Sequence, residues 1–331
     1  MSAYPSWQEI VAKYQNPDLR RSLWQIVNSF APFLILWYLM YRSLEYSYWL
    51  TLVLALPTAG LLMRVFIILH DCGHGSFFKS QRASDMVGTV CGVLTFTPYL
   101  QWRHEHAIHH ASSGDLARRG TGDVVTLTVK EYLALSWWEK LKYRVYRHPL
   151  VMFGIGPTII FLFTHRFPSR VAGKRERLNL HLTNLGLLAL FLVLGWAIGF
   201  KALLLVHGPI FLLSSTVGVW MFYVQHQFED TYWKEHQAWD YVMAALQGSS
   251  FYRLPKLLQW FTGNIGLHHI HHLSPKIPNY NLQKAFDENP LLQQVTIVTL
   301  WESLRTIPLR LWDENQGRMV GFGHLKTLQS N

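Results

Sequence analysis

The chain has 331 residues, half of them hydrophobic and only 15% charged, with a formal net charge of +10. Soluble domains carry about 25% charged residues, so this composition excludes an ordinary water-soluble domain and indicates a protein embedded in lipid. Lys and Arg cluster between apolar runs, at 140–147 and 166–177, which is typical of cytoplasmic loops of membrane proteins rather than of nucleic-acid binding. The two cysteines, Cys72 and Cys91, are too few for a disulfide framework or a cysteine-based metal cluster.

Four apolar runs are long enough to cross a bilayer, which takes about 20 residues. They lie at about 23–42, 48–69, 182–200 and 202–224. The links within each pair are short, so each pair is predicted to form a helical hairpin. Arg64 lies inside the second run, where its long side chain is expected to snorkel toward the membrane interface. The polar first 22 residues lack the apolar core of a signal peptide.

Two shorter apolar stretches, at about 86–100 and 149–164, are predicted to be in-plane elements. This assignment places every basic loop on one face of the membrane, which the positive-inside rule makes cytoplasmic. Both termini are expected on that face as well. No repeat or linker divides the sequence, so residues 1–331 are predicted to form a single membrane domain.

Histidine is concentrated in a few short boxes at the predicted cytoplasmic ends of the spans. Pairs spaced i, i+4 occur at 70/74, 106/110 and 268/272, and pairs spaced i, i+3 at 106/109 and 268/271. On a helix such pairs share one face, with Cβ atoms about 5–6 Å apart, so two imidazoles can reach one metal ion. The candidate ligands are His70, His74, His106, His109, His110, His226, His268, His271 and His272.

The number of candidate ligands indicates the kind of site. Nine imidazoles exceed one tetrahedral site but can supply two ions. Imidazole alone does not select among Zn, Cu, Fe and Ni. However, the H-E-x-x-H pattern of zinc hydrolases does not occur in the sequence. A neutral dinuclear site in a lipid-embedded chain favours redox-active iron that handles oxygen. The predicted fold is therefore an all-α integral membrane protein with four transmembrane helices in two hairpins and a cytoplasmic helical cap that carries the site.

These boxes resemble those of the membrane fatty acid desaturases and their hydroxylase relatives. "HDCGHGSFF", "HAIHH" and "HHIHH" are similar to the three histidine boxes of the acyl-lipid branch, "YVQHQFED" to the region with an extra ligand, and "HHLSPKIPNY" to the segment after the third box. The similarity spans about residues 65 to 282. It implies two irons held by the nine histidines, O₂ as co-substrate and an external electron donor. Some relatives also use an asparagine through water, and Asn264 is the candidate here.

The activity expected from the resemblance is removal of two hydrogens from neighbouring methylenes of an acyl chain, which leaves a cis double bond. A narrow apolar tunnel should hold the chain, since a slip of one carbon would move the product bond. No H-P-G-G haem-binding stretch or cysteine cluster is present, so the donor is expected to be a separate ferredoxin-like or cytochrome b5-like protein. A related hydroxylase, acetylenase or carotenoid-modifying oxygenase shares the metal site and remains an alternative. A membrane metal transporter or sensor is a more remote one.

The remaining histidines and several nearby carboxylates are assigned ordinary roles or supporting ones. Supporting or solvent-facing positions are expected for His104 and His269, and no role at the site for His148, His165, His181, His207, His236 and His324. Carboxylates that could orient a ligand through its second ring nitrogen are Asp71, Glu105, Asp115, Asp123, Glu229 and Asp230.

Overall fold

The computed structural model describes residues 6–329, and four long helices dominate it. Each is long and apolar enough to cross a membrane. In chain order the α-helices are α1 (Trp7–Ala12), α2 (Leu19–Ser43), α3 (Tyr48–His74), α4 (Gln81–Leu94), α5 (Tyr99–Ser112), α6 (Val129–Ala134), α7 (Trp137–Tyr146), α8 (Gly156–Leu162), α9 (Lys174–Ile198), α10 (Phe200–His226), α11 (Tyr241–Gln247), α12 (Lys256–Phe261), α13 (His268–Leu273), α14 (Asn279–Glu288) and α15 (His324–Gln329). A π-helix covers Leu150–Ile155, and short 3₁₀ turns lie at Thr164–Arg166, His236–Ala238, Pro290–Gln293 and Glu302–Thr306.

The four candidate spans α2, α3, α9 and α10 agree in position with the four predicted runs but extend beyond them. The α3 helix continues past residue 69 to His74 and ends where Gly75 adopts a left-handed conformation, with φ of 61°. The α9 helix begins at Lys174, eight residues before the predicted start at 182. Helical hydrogen bonding continues into polar sequence outside the lipid, whereas hydropathy reports only the apolar part.

The α3 helix forms the centre of the bundle. In its most apolar window 61% of the residues are buried, compared with 17% in α9 and 22% in α2. It packs against α2, α4 and α10. Arg64 of this helix is buried, donates a hydrogen bond to the carbonyl of Trp260, and has its guanidinium carbon 4.1 Å from the centroid of the Trp260 ring. The predicted snorkelling of Arg64 is therefore wrong, because protein atoms rather than water satisfy the cation.

The segment predicted as one in-plane element at 86–100 is two packed helices, α4 and α5, separated by residues 95–98. The link contains Phe96, a non-glycine residue with a positive φ of 57°. Its ring packs on Phe191 of α9 and on His207 and Phe211 of α10. These partners lie well inside the two candidate spans, so the link reaches into the bundle rather than staying in the plane of the helix ends.

The second predicted in-plane element, at 149–164, is also broken. It comprises the π-helix, α8 and a 3₁₀ turn, and together they bend by 54° relative to α7. The segment follows α10, since Thr216 donates a hydrogen bond to the carbonyl of Phe153 and the Phe153 ring packs on Trp220. By length and composition, α7 and this segment taken together are a broken span or a re-entrant loop.

The fold is mostly helical, in agreement with the predicted class, and the described residues add five short strands to the helices. Strand β1 (Leu127–Thr128) pairs in parallel with β4 (Leu311–Asp313), and β4 pairs in antiparallel fashion with β5 (Arg318–Val320). Strand β2 (Phe251–Arg253) pairs in parallel with β3 (Ile297–Thr299). Strands of two or three residues give almost no alternation of hydrophobicity, so the sequence carried no signal for them.

Residues near both ends of the chain pack against the part of the molecule that holds the histidine boxes. Tyr14 donates to the carboxylate of Glu288, and Gln15 donates to Ser274, just beyond the third box. Leu325 packs in the cluster that contains Tyr143 and Leu311. Residues 1–5 and 330–331 lie outside the described residues. The predicted cytoplasmic position of the two termini therefore concerns, in part, residues that the structure does not describe.

Candidate metal centre

The first group of histidines comes from three helices. His70 and His74 occupy the last turns of α3, His106 lies on α5 and His271 on α13. One ring nitrogen from each of the four lies within 4.8 Å of all the others. Their i, i+4 spacing at the end of α3 places the first two on one face. Four imidazoles can thus converge on a single ion.

The second group uses α10 in place of α3. It consists of His109 from α5, His226 at the end of α10, and His268 and His272 from α13, all buried and again with ring nitrogens within 4.8 Å of one another. The Nε2 atom of His226 lies 3.2 Å from Nε2 of His109 and 3.0 Å from Nε2 of His268. Such close approach of ring nitrogens is what a shared cation requires.

His110 lies between the two groups. Its Nε2 atom is 3.2 Å from Nε2 of His106 and 3.0 Å from Nε2 of His271, both in the first group. Its ring also stacks on that of His272 in the second group, with centroids 4.1 Å apart. All nine histidines predicted as ligands are therefore brought together in one region of the described chain.

The protonation of these rings fits metal binding. Burial lowers the pKa of His106, His110, His268, His271 and His272 well below the usual value for histidine, and neighbouring imidazoles lower it further. The rings are thus neutral, which is the form that donates a lone pair to a metal. Nε2 of His74 and Nε2 of His272 are buried without a hydrogen-bond partner. Buried polar atoms without partners are costly, and coordination would satisfy them.

Two of the predicted carboxylates contact imidazoles of these groups, through Nδ1 of each ring. Nδ1 of His70 lies 3.1 Å from Asp71, and Nδ1 of His109 lies 2.5 Å from Asp123. Nδ1 of His226 is instead placed 3.1 Å from the carbonyl of Gly248. A donor hydrogen on Nδ1 leaves the Nε2 lone pair free to point at the metal position.

The other predicted carboxylates do not contact these imidazoles. Asp115 pairs with Arg118 and His236, and Glu229 with Arg318. Glu105 interacts with Ser169 rather than with one of the nine histidines, and Asp230 is exposed. For Asp115 and Glu229, the salt bridges take up the carboxylate that was predicted to orient an imidazole.

Asn279 is a supporting residue that sequence reasoning missed. Its backbone N–H and its side-chain amide each donate to the Asp71 carboxylate at 2.7 Å. The amide nitrogen is also 3.1 Å from the side-chain oxygen of Gln25. Asn279 thereby ties the segment after the third box to the end of α3. The available signal was its place in "PKIPNY", directly at the start of α14.

The remaining polar candidates lie apart from the two groups. The side chain of Asn264 donates to the carbonyl of Asn279, and its backbone has a positive φ of 58°. His269 is buried, with Nε2 2.9 Å from the carbonyl of Leu292, so it is neither a solvent-facing residue nor a member of either group. His207 packs between Phe96 and Phe191.

An elongated apolar cavity of about 380 Å³ adjoins both groups. Its wall includes His70 and His106 from the first group and His268 from the second. The rest is lined largely by apolar side chains of α3, α8 and α10, among them Leu62, Met63, Phe66, Ile160, Phe161, Phe211, Val219, Met221 and Phe222. The cavity runs along α10 from Gln225 to Phe211, roughly 20 Å at 1.5 Å per residue. It can therefore hold an extended apolar chain beside the histidines.

The bundle and the paired histidine groups define a class: helical membrane proteins with two histidine groups that could each hold a metal ion. The family model described as fatty acid desaturase matches residues 47–296. The chain belongs to the fatty acid desaturase family, whose members are oxidoreductases.

Individual relatives agree with this assignment. The chain is 52% identical to a fatty acid desaturase of Bacillus subtilis (strain 168) over 316 residues, which cover 96% of this chain and 90% of the relative. It is 27% identical to the sn-1 oleoyl-lipid 12-desaturase of Synechocystis sp., with 86% of this chain and 83% of the relative covered. It is also 27% identical to the sn-1 acyl-lipid omega-3 desaturase (ferredoxin) of Synechocystis sp., where the shares are 68% and 63%.

Proposed function

We propose that the protein is an O₂-dependent acyl-lipid desaturase that introduces a cis double bond into the acyl chain of a membrane lipid. The observation that carries this proposal is the apolar cavity whose wall includes histidines of both metal-binding groups. A chain extended in the cavity would present its methylenes directly to the metal centre. The names of the Synechocystis relatives agree with a lipid-linked acyl substrate.

The proposed metal ligands are the nine histidines. His70, His74, His106 and His271 would hold one iron, and His109, His226, His268 and His272 the other, with His110 placed to ligate either ion. Two bound irons would supply, with O₂, the oxidising power to remove two hydrogens from an unactivated chain. Asn264 stays the candidate for a contact through water, and its side-chain nitrogen donates to the carbonyl of Asn279.

The chain's own residues would hold the reactants in place and exclude water. Asp71 and Asp123 keep the hydrogen of His70 and of His109 on Nδ1, so that Nε2 faces the metal. Trp102 stacks on His106 at 4.4 Å and lines the cavity. A rigid aromatic wall beside a ligand limits sliding of the acyl chain, and fixed positioning is the main contribution a protein makes to such a reaction.

An external donor would supply electrons near His74. His74 is the partly exposed member of the first group, whereas the other three members are buried. Gly75 follows it, and the Lys276 ammonium lies 3.2 Å from the position a Cβ atom on Gly75 would take. A basic side chain at this edge favours docking of an acidic carrier, either ferredoxin-like or cytochrome b5-like. One Synechocystis relative carries ferredoxin in its name.

We propose the cytoplasmic side for the metal centre and both termini. Basic residues at 140–147 and 166–177 surround the end of the bundle that holds the histidines, whereas Arg42 and Lys201 lie at the opposite ends of the spans. Such asymmetry sets cytoplasmic orientation. Single-domain organisation over 1–331 agrees with α13 and α14 packing against each other and against residues near the start of the chain.

The function is tested by expressing the protein in a host that lacks unsaturated lipids and analysing the acyl chains by gas chromatography with mass spectrometry. A new alkene that requires O₂ supports desaturation, and a hydroxylated chain would identify a hydroxylase instead. The double variant His70→Ala/His74→Ala serves as the inactive control. Metal analysis of the purified protein distinguishes a desaturase from the more remote alternative, a membrane metal transporter or sensor. Exchangeable zinc without oxygen consumption would indicate transport or sensing.

A further inference from the structure

The α7 helix exposes large apolar side chains although it lies outside the four candidate spans. Trp137 is 74% exposed and Trp138 is 50% exposed, and Leu141 and Val145 are exposed as well. At about 100° of rotation per residue, these four positions fall on a single stripe roughly 100° wide. Nothing in the described part of the chain covers this stripe, so it meets either lipid or another molecule.

Residues of α7 outside the stripe fix the helix to the small sheet and to α6. Tyr143 is buried and its hydroxyl donates to the carbonyl of Arg310 at 2.6 Å, next to β4. The guanidinium of Arg144 donates to the hydroxyl of Tyr132 at 2.7 Å. These contacts hold the helix in one rotational position, so the apolar stripe points outward permanently.

The stripe is continuous with the surface of the next segment. After the 54° bend, the segment Leu150–Arg166 exposes Leu150, Ile155, Ile159 and Phe163. Taken together, α7 and this segment have the length and composition of a broken span or a re-entrant loop. Lys142 flanks the stripe, with its ammonium 5.6 Å from the centroid of the Trp138 ring. Tryptophan beside lysine is the pattern of helices that lie in the headgroup region of a bilayer.

We infer that α7 lies in the plane of the membrane surface on the side of the metal centre, with its apolar stripe in the acyl region and Lys142 among anionic phospholipid headgroups. This interaction goes beyond the proposed reaction and does not depend on it. It has a consequence for access, because Tyr146 at the end of α7 lines the cavity together with the exposed Gly122. The anchored helix would hold this edge of the cavity at the depth of the headgroups.

The test places a fluorophore on the stripe through Trp138→Cys, in protein reconstituted into nanodiscs of phosphatidylglycerol with brominated acyl chains. The native Cys72 and Cys91 are buried, so the introduced thiol is the reactive one. Glu314→Cys, in the exposed turn between β4 and β5, is the matched control. We expect strong quenching by brominated lipid at position 138 and little at 314, with the reverse order for aqueous iodide.

The role of charge is tested with Lys142→Gln in the labelled protein. We expect lipid quenching at position 138 to be stronger in anionic phosphatidylglycerol than in phosphatidylcholine, and this difference to shrink at least about twofold in the variant. Lys130→Gln, which removes an exposed lysine from α6, should leave the difference in quenching between the two lipids unchanged. Equal elution volume and iron content of all variants establish that they are folded.

Three results would overturn the inference. A label at position 138 that iodide quenches and lipid does not would show that the stripe faces water. A label shielded from both quenchers in protein that elutes as a dimer would show that a second copy covers it. An unchanged preference for anionic lipid after Lys142→Gln would rule out the proposed contact between Lys142 and the anionic headgroups.

Discussion

The two histidine groups share α5 and α13 but are completed by different helices, and their surroundings differ accordingly. The first is completed by α3 and has one partly exposed member, His74, beside Gly75 and Lys276. The second is completed by α10 and is fully buried, with Nδ1 of His109 held by Asp123 and Nδ1 of His226 by the carbonyl of Gly248. The comparison indicates a division of roles: the first group faces the route by which electrons would arrive, and the second is enclosed by protein.

Removing one ligand from each group should give the largest effect. His271→Ala and His272→Ala are neighbouring substitutions that affect the first and the second group respectively. We expect either variant to lose detectable desaturation and to fall from about two irons per chain to about one, because the other group keeps its four imidazoles. Metal analysis together with lipid analysis provides the measurement. Loss of both irons in each variant would show that the groups do not bind independently.

The supporting carboxylates should give a smaller loss. Asp71→Asn and Asp123→Asn remove the negative charge that holds the Nδ1 hydrogen of His70 and of His109. Such partners typically contribute 10- to 100-fold in metal affinity or activity, so we expect about that decrease for each. Iron titration of the apoprotein measures the affinity. Asp230→Asn, at an exposed residue of the same type, is the control, and an equal loss there would contradict the assignment.

Cavity length should control which acyl chains react. Gly218 lies on the cavity wall, and a Cβ atom there would have only Met63 within 4 Å, at 3.9 Å. Gly218→Leu should fill the space and close the roughly 10 Å of cavity that continues to Phe211. We expect conversion of the longest chains to fall roughly 10- to 200-fold, with a smaller effect on shorter ones. Product chain lengths measured by gas chromatography test this.

Gly208→Leu is the matched control for that experiment. Gly208 lies on the same helix, its added Cβ would meet nothing within 4 Å, and it does not line the cavity. This variant should convert all chains as the parent does. A uniform loss in Gly218→Leu for every chain length would point to a disturbed helix packing instead of a shortened cavity.

The smallest effect is expected at the proposed docking edge. Lys276→Glu should slow reduction by an acidic donor protein roughly 3- to 10-fold at low salt, because a charge at the rim of a contact mainly changes the association rate. Reduction by dithionite and iron content should not change. Lys201→Glu, at the opposite end of α10, should be neutral. A slowed dithionite reaction would place the effect of Lys276 at the metal centre rather than at docking.

The sequence predicted the four spans because their apolar runs are long and uninterrupted by acidic residues. It could not predict where the helices end, since α3 continues into the polar box that contains His70 and His74. It also missed the inward course of 95–98, because a short turn with Phe96 at positive φ carries no hydropathy signal. The pairing of residues 127–128 with 311–312 joins parts of the chain too distant for any local pattern.

The gathering of the nine predicted histidines in one region follows from their spacing in the sequence. The three boxes each put imidazoles on one helical face, so their convergence needed only the spans to bring the helices together. The division among groups was not predictable: His106 and His109 are only three residues apart, but the ring of His106 lies against His70 of α3 and that of His109 against His226 of α10. Likewise the contact from Asn279 to Asp71 links residues 208 positions apart.

The position of α13 has a consequence for how the protein is made. Each histidine group includes a residue between 268 and 272, so neither is complete until more than four fifths of the chain has left the ribosome. A growing chain that has not yet reached residue 268 carries three imidazoles of the first group and two of the second. Two complete four-histidine sites, and with them the proposed oxygen chemistry, would therefore form only after the last span has been synthesised.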